Sequence, residues 1–287
     1  MHTRGLTPGH AGATTIRRMA EPSTLGVIGA GNMAGAMIDG WVRADPSRAD
    51  RIVVTDRGSG RAAELADRLG LTFLGSNGAV VERADILMIG VKPVDVERVL
   101  RELSELMSPS RPVLSIAAGI ATTTMENVVD ERVPVFRCMP NVGVRVCAGT
   151  VCFARGQFAG TPGEAAVLEW LGLLGTVVPL DEKLFDAATA LAGSGPAFLG
   201  LIVEAFEDAG IASGLSAVAS RELILSTMMG TARLLDETGI SCSELRRMVT
   251  SPGGTAATGL AQMERSSVRG GIIDGVLAAK DRAAQLG

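Results

Sequence analysis

Residues Leu25-Gly26-Val27-Ile28 form an apolar run too short for a helix. It stops at Gly29-Ala30-Gly31-Asn32-Met33-Ala34 and resumes as a helical-looking stretch, Gly35–Val42. A strand that turns into a helix on closely spaced glycines suits a dinucleotide, because the pyrophosphate can approach the backbone and meet the unpaired N–H groups of the helix N-terminus. In that reading Gly29 makes the turn, Gly31 leaves room for the phosphates, and Ala34, in place of the usual third glycine, lets helix pack on strand. One glycine motif is weak evidence, but a second strand follows. Arg51–Asp56 ends on an acidic residue 22 positions past Ala34, where a ribose-binding carboxylate belongs.

The alternation continues with a helix over Arg61–Leu69 and unbroken apolar strands at Asp85–Val91, closed by Lys92-Pro93, and at Pro112–Ile116. Val133–Cys138, Thr150–Phe153 and Gly175–Leu180 read as further strands. From Asp181 the composition shifts to Ala, Leu and Met, and Leu199–Ala209, Ala217–Asp236, Cys242–Val249 and Val268–Ala284 permit helices. Several are apolar on more than one face, which predicts burial against another subunit. The expected organisation is a loose tail over residues 1–21, an α/β Rossmann-type dinucleotide-binding domain over 22–180, and an all-α dimerisation and substrate domain over 181–287.

With 27 basic and 31 acidic side chains the chain carries a formal charge of −4, which argues against nucleic acid or an anionic membrane as partner and favours a small metabolite. The longest uncharged stretch, Ala187–Val203, is interrupted by Gly193-Ser194-Gly195-Pro196 and falls short of the roughly 20 residues a bilayer-spanning helix needs. Four cysteines without a CxxC pair suggest a reducing, cytoplasmic setting. Both histidines, His2 and His10, lie in the tail, so Ser-His-Asp hydrolysis, histidine acid-base pairs and histidine metal sites are disfavoured, and no metal is expected.

Taken together, Ile28–Ala34, Val91-Lys92-Pro93, Arg137-Cys138-Met139-Pro140-Asn141, Gly193–Phe198 and Ser251-Pro252-Gly253-Gly254-Thr255 resemble the pyrroline-5-carboxylate reductase family, block by block and in order. The resemblance implies a helical domain that interlocks two subunits into a homodimer, with dimers assembled into rings in some members. It implies reduction of the cyclic imine 1-pyrroline-5-carboxylate to L-proline by NADPH or NADH, the last step of proline biosynthesis. It also implies that Asn32, Met33 and Ala34 lie along the cofactor phosphates, that Lys92 and Pro93 lie near the cofactor, and that Asn141 borders the nicotinamide. The substrate carboxylate would rest on Ser251, Gly253, Gly254 and Thr255, with Ser194 and Thr255 as the candidate catalytic hydroxyls.

Physical chemistry is compatible with that set. An imine nitrogen is basic enough to need little acid catalysis, so most of the rate should come from holding two partners at near-contact distance. Ser251 as helix cap, Pro252 at the first helical position and two glycines exposing N–H groups would suit a carboxylate. Asn141 reads equally as a turn residue, and Arg137 and Arg145 as a basic face or as steering charges. Cofactor choice is split between neighbours: Asp56 would bond ribose hydroxyls and favour NADH, whereas Arg57 would pair with a 2′-phosphate, and the balance leans to NADPH.

Four blocks depart from family spelling. Val142-Gly143 replaces Thr-Pro, Ala192 a serine, Phe198 a tyrosine, and Ala256 a threonine whose hydroxyl meets the substrate. These changes keep two other readings open, a reductase of a related cyclic or secondary imine acid and a non-catalytic cofactor-binding or assembly protein.

Overall fold

Period-two alternation sorts the strand side chains onto two faces of one sheet. Leu25, Val27, Ile52, Val54, Ile86, Met88, Leu114 and Phe136 share one core cluster, while their neighbours Ile28, Val53, Leu87, Ile89, Val113 and Val135 share a second. A sheet apolar on both faces must be covered on both, which is why its strands read as unbroken apolar runs. The computed structural model describes residues 23–129, 132–160 and 162–285. The tail expected over residues 1–21 lies outside them.

Eight strands form the sheet among the described residues: β1 (Leu25–Ile28), β2 (Ile52–Thr55), β3 (Thr72–Phe73), β4 (Ile86–Ile89), β5 (Val113–Ser115), β6 (Val135–Pro140), β7 (Gly149–Arg155) and β8 (Gly175–Pro179). Their order is β3-β2-β1-β4-β5-β6-β7-β8, parallel except that β7 runs against β6. Val27 pairs with Val54 on one side and with Met88 on the other, so the order reverses at β1 and a crevice opens beyond the carboxyl ends of β1 and β4.

The sheet is flanked by α1 (Asn32–Ala44), α2 (Arg61–Leu69), α3 (Asn77–Arg83), α4 (Val96–Leu103), α5 (Thr122–Glu126) and α6 (Pro162–Gly172). Trp41 of α1 meets Trp170 of α6 edge to face with ring centroids 5.4 Å apart, and its indole N–H donates to the Trp170 carbonyl at 2.7 Å. Both rings are fully buried, so the pair fixes α1 and the glycine turn it follows.

Beyond Pro179 every regular element is helical: α7 (Phe185–Ala188), a π-helical turn at Thr189–Gly193, α8 (Gly195–Ala212), α9 (Ala217–Thr238), α10 (Cys242–Met248), α11 (Thr255–Arg265) and α12 (Val268–Ala284). The helical stretch Glu182–Ala212 spans 31 residues, long and apolar enough by composition to cross a bilayer, where the sequence suggested a break at Gly193–Pro196. The π turn carries the chain through that point. Leu201, Val218 and Met229 are 68, 77 and 68% exposed, an apolar surface of the kind a partner covers.

Two helix starts differ from expectation. α1 begins at Asn32 rather than Gly35, and α11 begins at Thr255, so Ser251 is not its cap and Pro252 is not its first residue. Pro252 and Gly253 instead occupy the middle of a β-turn in which the Gly254 N–H donates to the Ser251 carbonyl at 3.0 Å. Gly253 takes φ +71°, the left-handed value that the third position of a type II turn requires. Helices α3, α4, α5, α6 and α7 have no counterpart in the sequence reading, whereas α11 differs from it only in where it starts.

Candidate functional site

The ends of β1 and β4 meet at the glycine turn. Gly29 has φ +100°, and a Cβ there would lie 2.8 Å from the carbonyl carbon and oxygen of Gly90, at the end of β4. Ala34 fits above, its Cβ 3.1 Å from where a Cβ on Gly90 would stand, so a small residue is needed there too. With Gly31 as N-cap, Asn32, Met33 and Ala34 are the first helical turn and their N–H groups have no intrahelical acceptor. A ring of unpaired amides beside a turn with no side chains fits a pyrophosphate. Gly29 and Gly31 line the resulting cleft, while Asn32 is exposed and Ala34 is buried.

The same cleft is lined by Asp56, Arg57, Ser59, Arg61, Lys92 and Asp95. Asp56 is engaged by its own loop. Its carboxylate accepts the N–H of Gly58 at 2.9 Å, of Ser59 at 3.1 Å and of Ala62 at 2.8 Å, and the Ser59 hydroxyl at 2.7 Å. Burial pushes its pKa up, but these four bonds outweigh that and hold it below the usual carboxylate value. Four donors occupy the acceptor positions that ribose hydroxyls would use. Arg57 is bound at 2.5 Å to Asp95, which also takes Arg98 at 3.2 Å. The Arg57 guanidinium, followed by Arg98, holds Asp95 below its ordinary pKa. Lys92 is exposed at the rim, and Pro93 opens the short turn Pro93–Asp95 that presents Asp95. Asp95 and Gly90 were not anticipated; only the strand-closing Lys92-Pro93 pointed to this segment.

A second pocket adjoins on the other side of α1's first turn, lined by Met33, the loop Ile116–Gly119 after β5, Arg137–Pro140, Asp186, Thr189 and Ala283. Sheet, π turn and α12 meet here. Arg137 is neither a solvated face nor a free steering charge: it is 3.0 Å from Glu182 and stacks 4.6 Å from the Phe185 ring centroid. Glu182 also accepts the Thr122 N–H at 2.9 Å and its hydroxyl at 2.6 Å. Burial, followed by nearby Cys152, keeps the Cys138 thiol well above its normal pKa and therefore protonated. Arg145 pairs with Asp39 at 3.5 Å on the surface.

The remaining sequence-derived residues lie apart. Asn141 lines neither pocket; its amide donates to the Ala192 carbonyl at 3.1 Å and accepts the N–H of Gly143 and Thr150. Ser194 directly precedes α8, half-buried, and its hydroxyl makes no hydrogen bond among the described residues. The turn Ser251–Gly254 and Thr255 line neither pocket; Ser251, Gly253 and Thr255 are exposed and Gly254 is half-buried. One chain thus does not bring its carboxylate-binding candidates to its own cofactor cleft.

A doubly wound sheet with an amide-lined glycine turn at its switch point, continued by helices with exposed apolar faces, defines a nicotinamide-dinucleotide oxidoreductase that dimerises through its C-terminal half. Comparison with known proteins narrows the class. Residues 182–286 match the family model for pyrroline-5-carboxylate reductase dimerisation, and residues 24–119 match that for coenzyme F420-dependent NADP oxidoreductases. A pyrroline-5-carboxylate reductase of Methanosarcina acetivorans is 34% identical over 93% of this chain and 99% of its own. A pyrroline-5-carboxylate reductase from Coxiella burnetii superposes with a TM-score of 0.83 at 29% identity, covering 92% of this chain and 98% of the other. The Plasmodium falciparum pyrroline carboxylate reductase, solved with NADP bound, gives 0.79 at 26% identity over 92% and 98% of the two chains. The chain belongs to the pyrroline-5-carboxylate reductase family.

Proposed function

We infer that the protein reduces 1-pyrroline-5-carboxylate to L-proline with a hydride from NADPH, as a homodimer joined through its C-terminal helices. One observation carries the reading. The glycine-turn cleft and the second pocket adjoin across the first turn of α1, with Gly31 lining one and Met33 the other. A dinucleotide laid along the carboxyl ends of β2, β1, β4 and β5 would have its phosphates on the amides of Asn32, Met33 and Ala34. Its nicotinamide would then lie between Met33, Pro140 and the π turn.

When bound, the reduced nicotinamide supplies the hydride. The chain's own residues position. The Ile116–Gly119 loop and Met139-Pro140 wall the pocket on the sheet side, and Thr189 and Ala283 close it on the helical side. Asp186 lines this pocket, where its carboxylate would meet an imine that becomes cationic when protonated. Such opposite charge favours the protonated form that accepts hydride. Because Ser251–Thr255 stand clear of this pocket in one chain, the second subunit is the natural source of the turn that holds the substrate carboxylate. Ser194 and Thr255 would then offer hydroxyls to the substrate from opposite subunits.

NADPH is favoured over NADH because Asp56, the carboxylate that would repel a 2′-phosphate, has its acceptors filled by its own loop, while Arg57 is a ready phosphate partner once Asp95 yields it. Unpaired cysteines suit a cytoplasmic enzyme. A related imine acid is the second reading: Ala256, in the first turn of α11, offers a methyl where the family has a hydroxyl. The test is purified protein with NADPH or NADH and a panel of cyclic imine acids. Consumption of NADPH with proline formed is expected; no consumption of either cofactor with 1-pyrroline-5-carboxylate would overturn the proposal, and faster turnover of another ring size would favour the second reading.

A further inference from the structure

The carbonyl of Ala192 lacks a backbone donor for a reason written in the sequence. In a continuous α-helix its donor is the N–H four residues on, and residue 196 is proline, which has none. The π alternative, the N–H of Ala197, turns instead to the Ser194 carbonyl at 3.0 Å. Asn141, reaching across from the end of β6, supplies the missing donor through Nδ2 at 3.1 Å. Its Oδ1 is meanwhile held by the N–H of Gly143 and Thr150, each at 3.1 Å, so the side chain is anchored in the sheet and donates to the helical half.

We propose that Asn141 is a positioning residue, not a cofactor contact: its amide replaces the backbone donor that Pro196 removes and so sets the distance between the nicotinamide pocket and the substrate-bearing helices. The bond spans the two sides of the reaction pocket. Met139 and Pro140, just before Asn141, line it from the sheet, and Thr189 of the π turn lines it from the helices. Gly193, next to Ala192, sits so close that a Cβ there would be 3.2 Å from the Met139 sulfur. Displacement at this seam moves Thr189 and Ser194 relative to the nicotinamide, and hydride transfer is steeply sensitive to such displacement. The assignment rests on the reductase reading for its kinetic effect, but not for its structural one.

A double-mutant cycle on the full-length protein tests it. Asn141→Asp keeps the acceptor for Gly143 and Thr150 and replaces the donor with a charged oxygen that cannot bond the Ala192 carbonyl; Pro196→Ala restores a backbone N–H for Ala192. In the Pro196 background Asn141→Asp should lower kcat about tenfold or more while leaving the Kd for NADPH within about twofold. In the Pro196→Ala background the same change should lower kcat less than about threefold. Amide hydrogen exchange over residues 185–198 should quicken in Asn141→Asp and return toward normal in the double variant. Equal loss of kcat in both backgrounds, or a loss confined to NADPH affinity, overturns the proposal. Should the wild type turn over no imine, the reductase reading fails, and the exchange measurement alone decides the role of Asn141: unchanged protection in the single variant overturns it.

Discussion

Gly29 and Gly90 face each other without side chains at the ends of two adjacent parallel strands: a Cβ on Gly90 would stand 2.6 Å from the Gly29 carbonyl oxygen, and one on Gly29 would stand 2.8 Å from Gly90. The obstacles are backbone atoms, so neither side can yield by a rotamer change. Gly90→Ala should therefore force the turn open, destabilising the protein by about 2–3 kcal/mol. Because the displaced segment carries the amides of the first turn of α1, cofactor affinity should fall with it. Urea unfolding and NADPH titration of the same variant check both effects. A variant with wild-type stability and affinity would show that the strand ends do not need this approach.

Arg57 and Asp95 make the second relationship that can be tested. An exposed ion pair contributes little stability, so its importance lies in what it does to ligands. Arg57→Ala should weaken NADPH about tenfold and NADH hardly at all, since only NADPH carries the phosphate that a guanidinium would hold. Asp95→Asn, which releases Arg57, should tighten NADPH about two- to fivefold and again leave NADH alone. Fluorescence titrations with both cofactors decide it. Equal changes for the two would place Arg57 away from the 2′-position.

For Asp56 the prediction concerns stability. Its pKa is held below the ordinary 3.8 in the folded protein, so the charged form is stabilised by folding. A depressed folded pKa contributes stability that is present above the unfolded value and is lost as pH falls through the folded one. Asp56→Asn should accordingly be less stable than wild type at neutral pH, with the gap narrowing as pH is lowered below about 4. Chemical denaturation over that range measures it, and a gap independent of pH would mean that the loss is one of shape rather than charge.

The elements most legible in the sequence were those whose local signals agree. Strand β1 and helix Arg61–Leu69, with glycine on either side, appear as read because propensity, pattern and punctuation point the same way; Val268–Ala284 also appears as read, although it carries three glycines and no side-chain cap. Helix Val96–Leu103 was missed although its apolar residues recur with helical spacing; it follows a proline turn that resembles a simple strand end. At the site, the glycine turn was legible because glycine identity there reflects backbone geometry. Which groups Asp56 and Asn141 bond was not, since each is a side chain whose partners are fixed by tertiary placement: Asp56 reaches Ala62 across its own loop, and Asn141 reaches Ala192 across 51 residues of chain. The Ser251 turn was misread as a helix cap for a related reason. Ser-Pro-Gly-Gly satisfies the composition rules of both a capped helix start and a type II turn, and only the positive φ of Gly253 separates them.

The exposed apolar face of the helical half predicts a separable oligomerisation defect. Leu201 on α8 and Met229 on α9 are each 68% exposed in one chain, and nothing in the chain itself requires them to be apolar. Replacing both with glutamate should place charges in the interface between two copies, where desolvation opposes them, and shift the protein from dimer to single chain. The sheet half should be untouched. The two tryptophans of the sequence, Trp41 and Trp170, both lie there and pack on each other, so their fluorescence reports that half alone. The expected result is halved mass by light scattering, unchanged tryptophan emission, retained NADPH binding and lost turnover, because the Ser251–Thr255 turn no longer arrives from a partner. A single-chain variant that keeps full turnover would show that one subunit builds the whole substrate site.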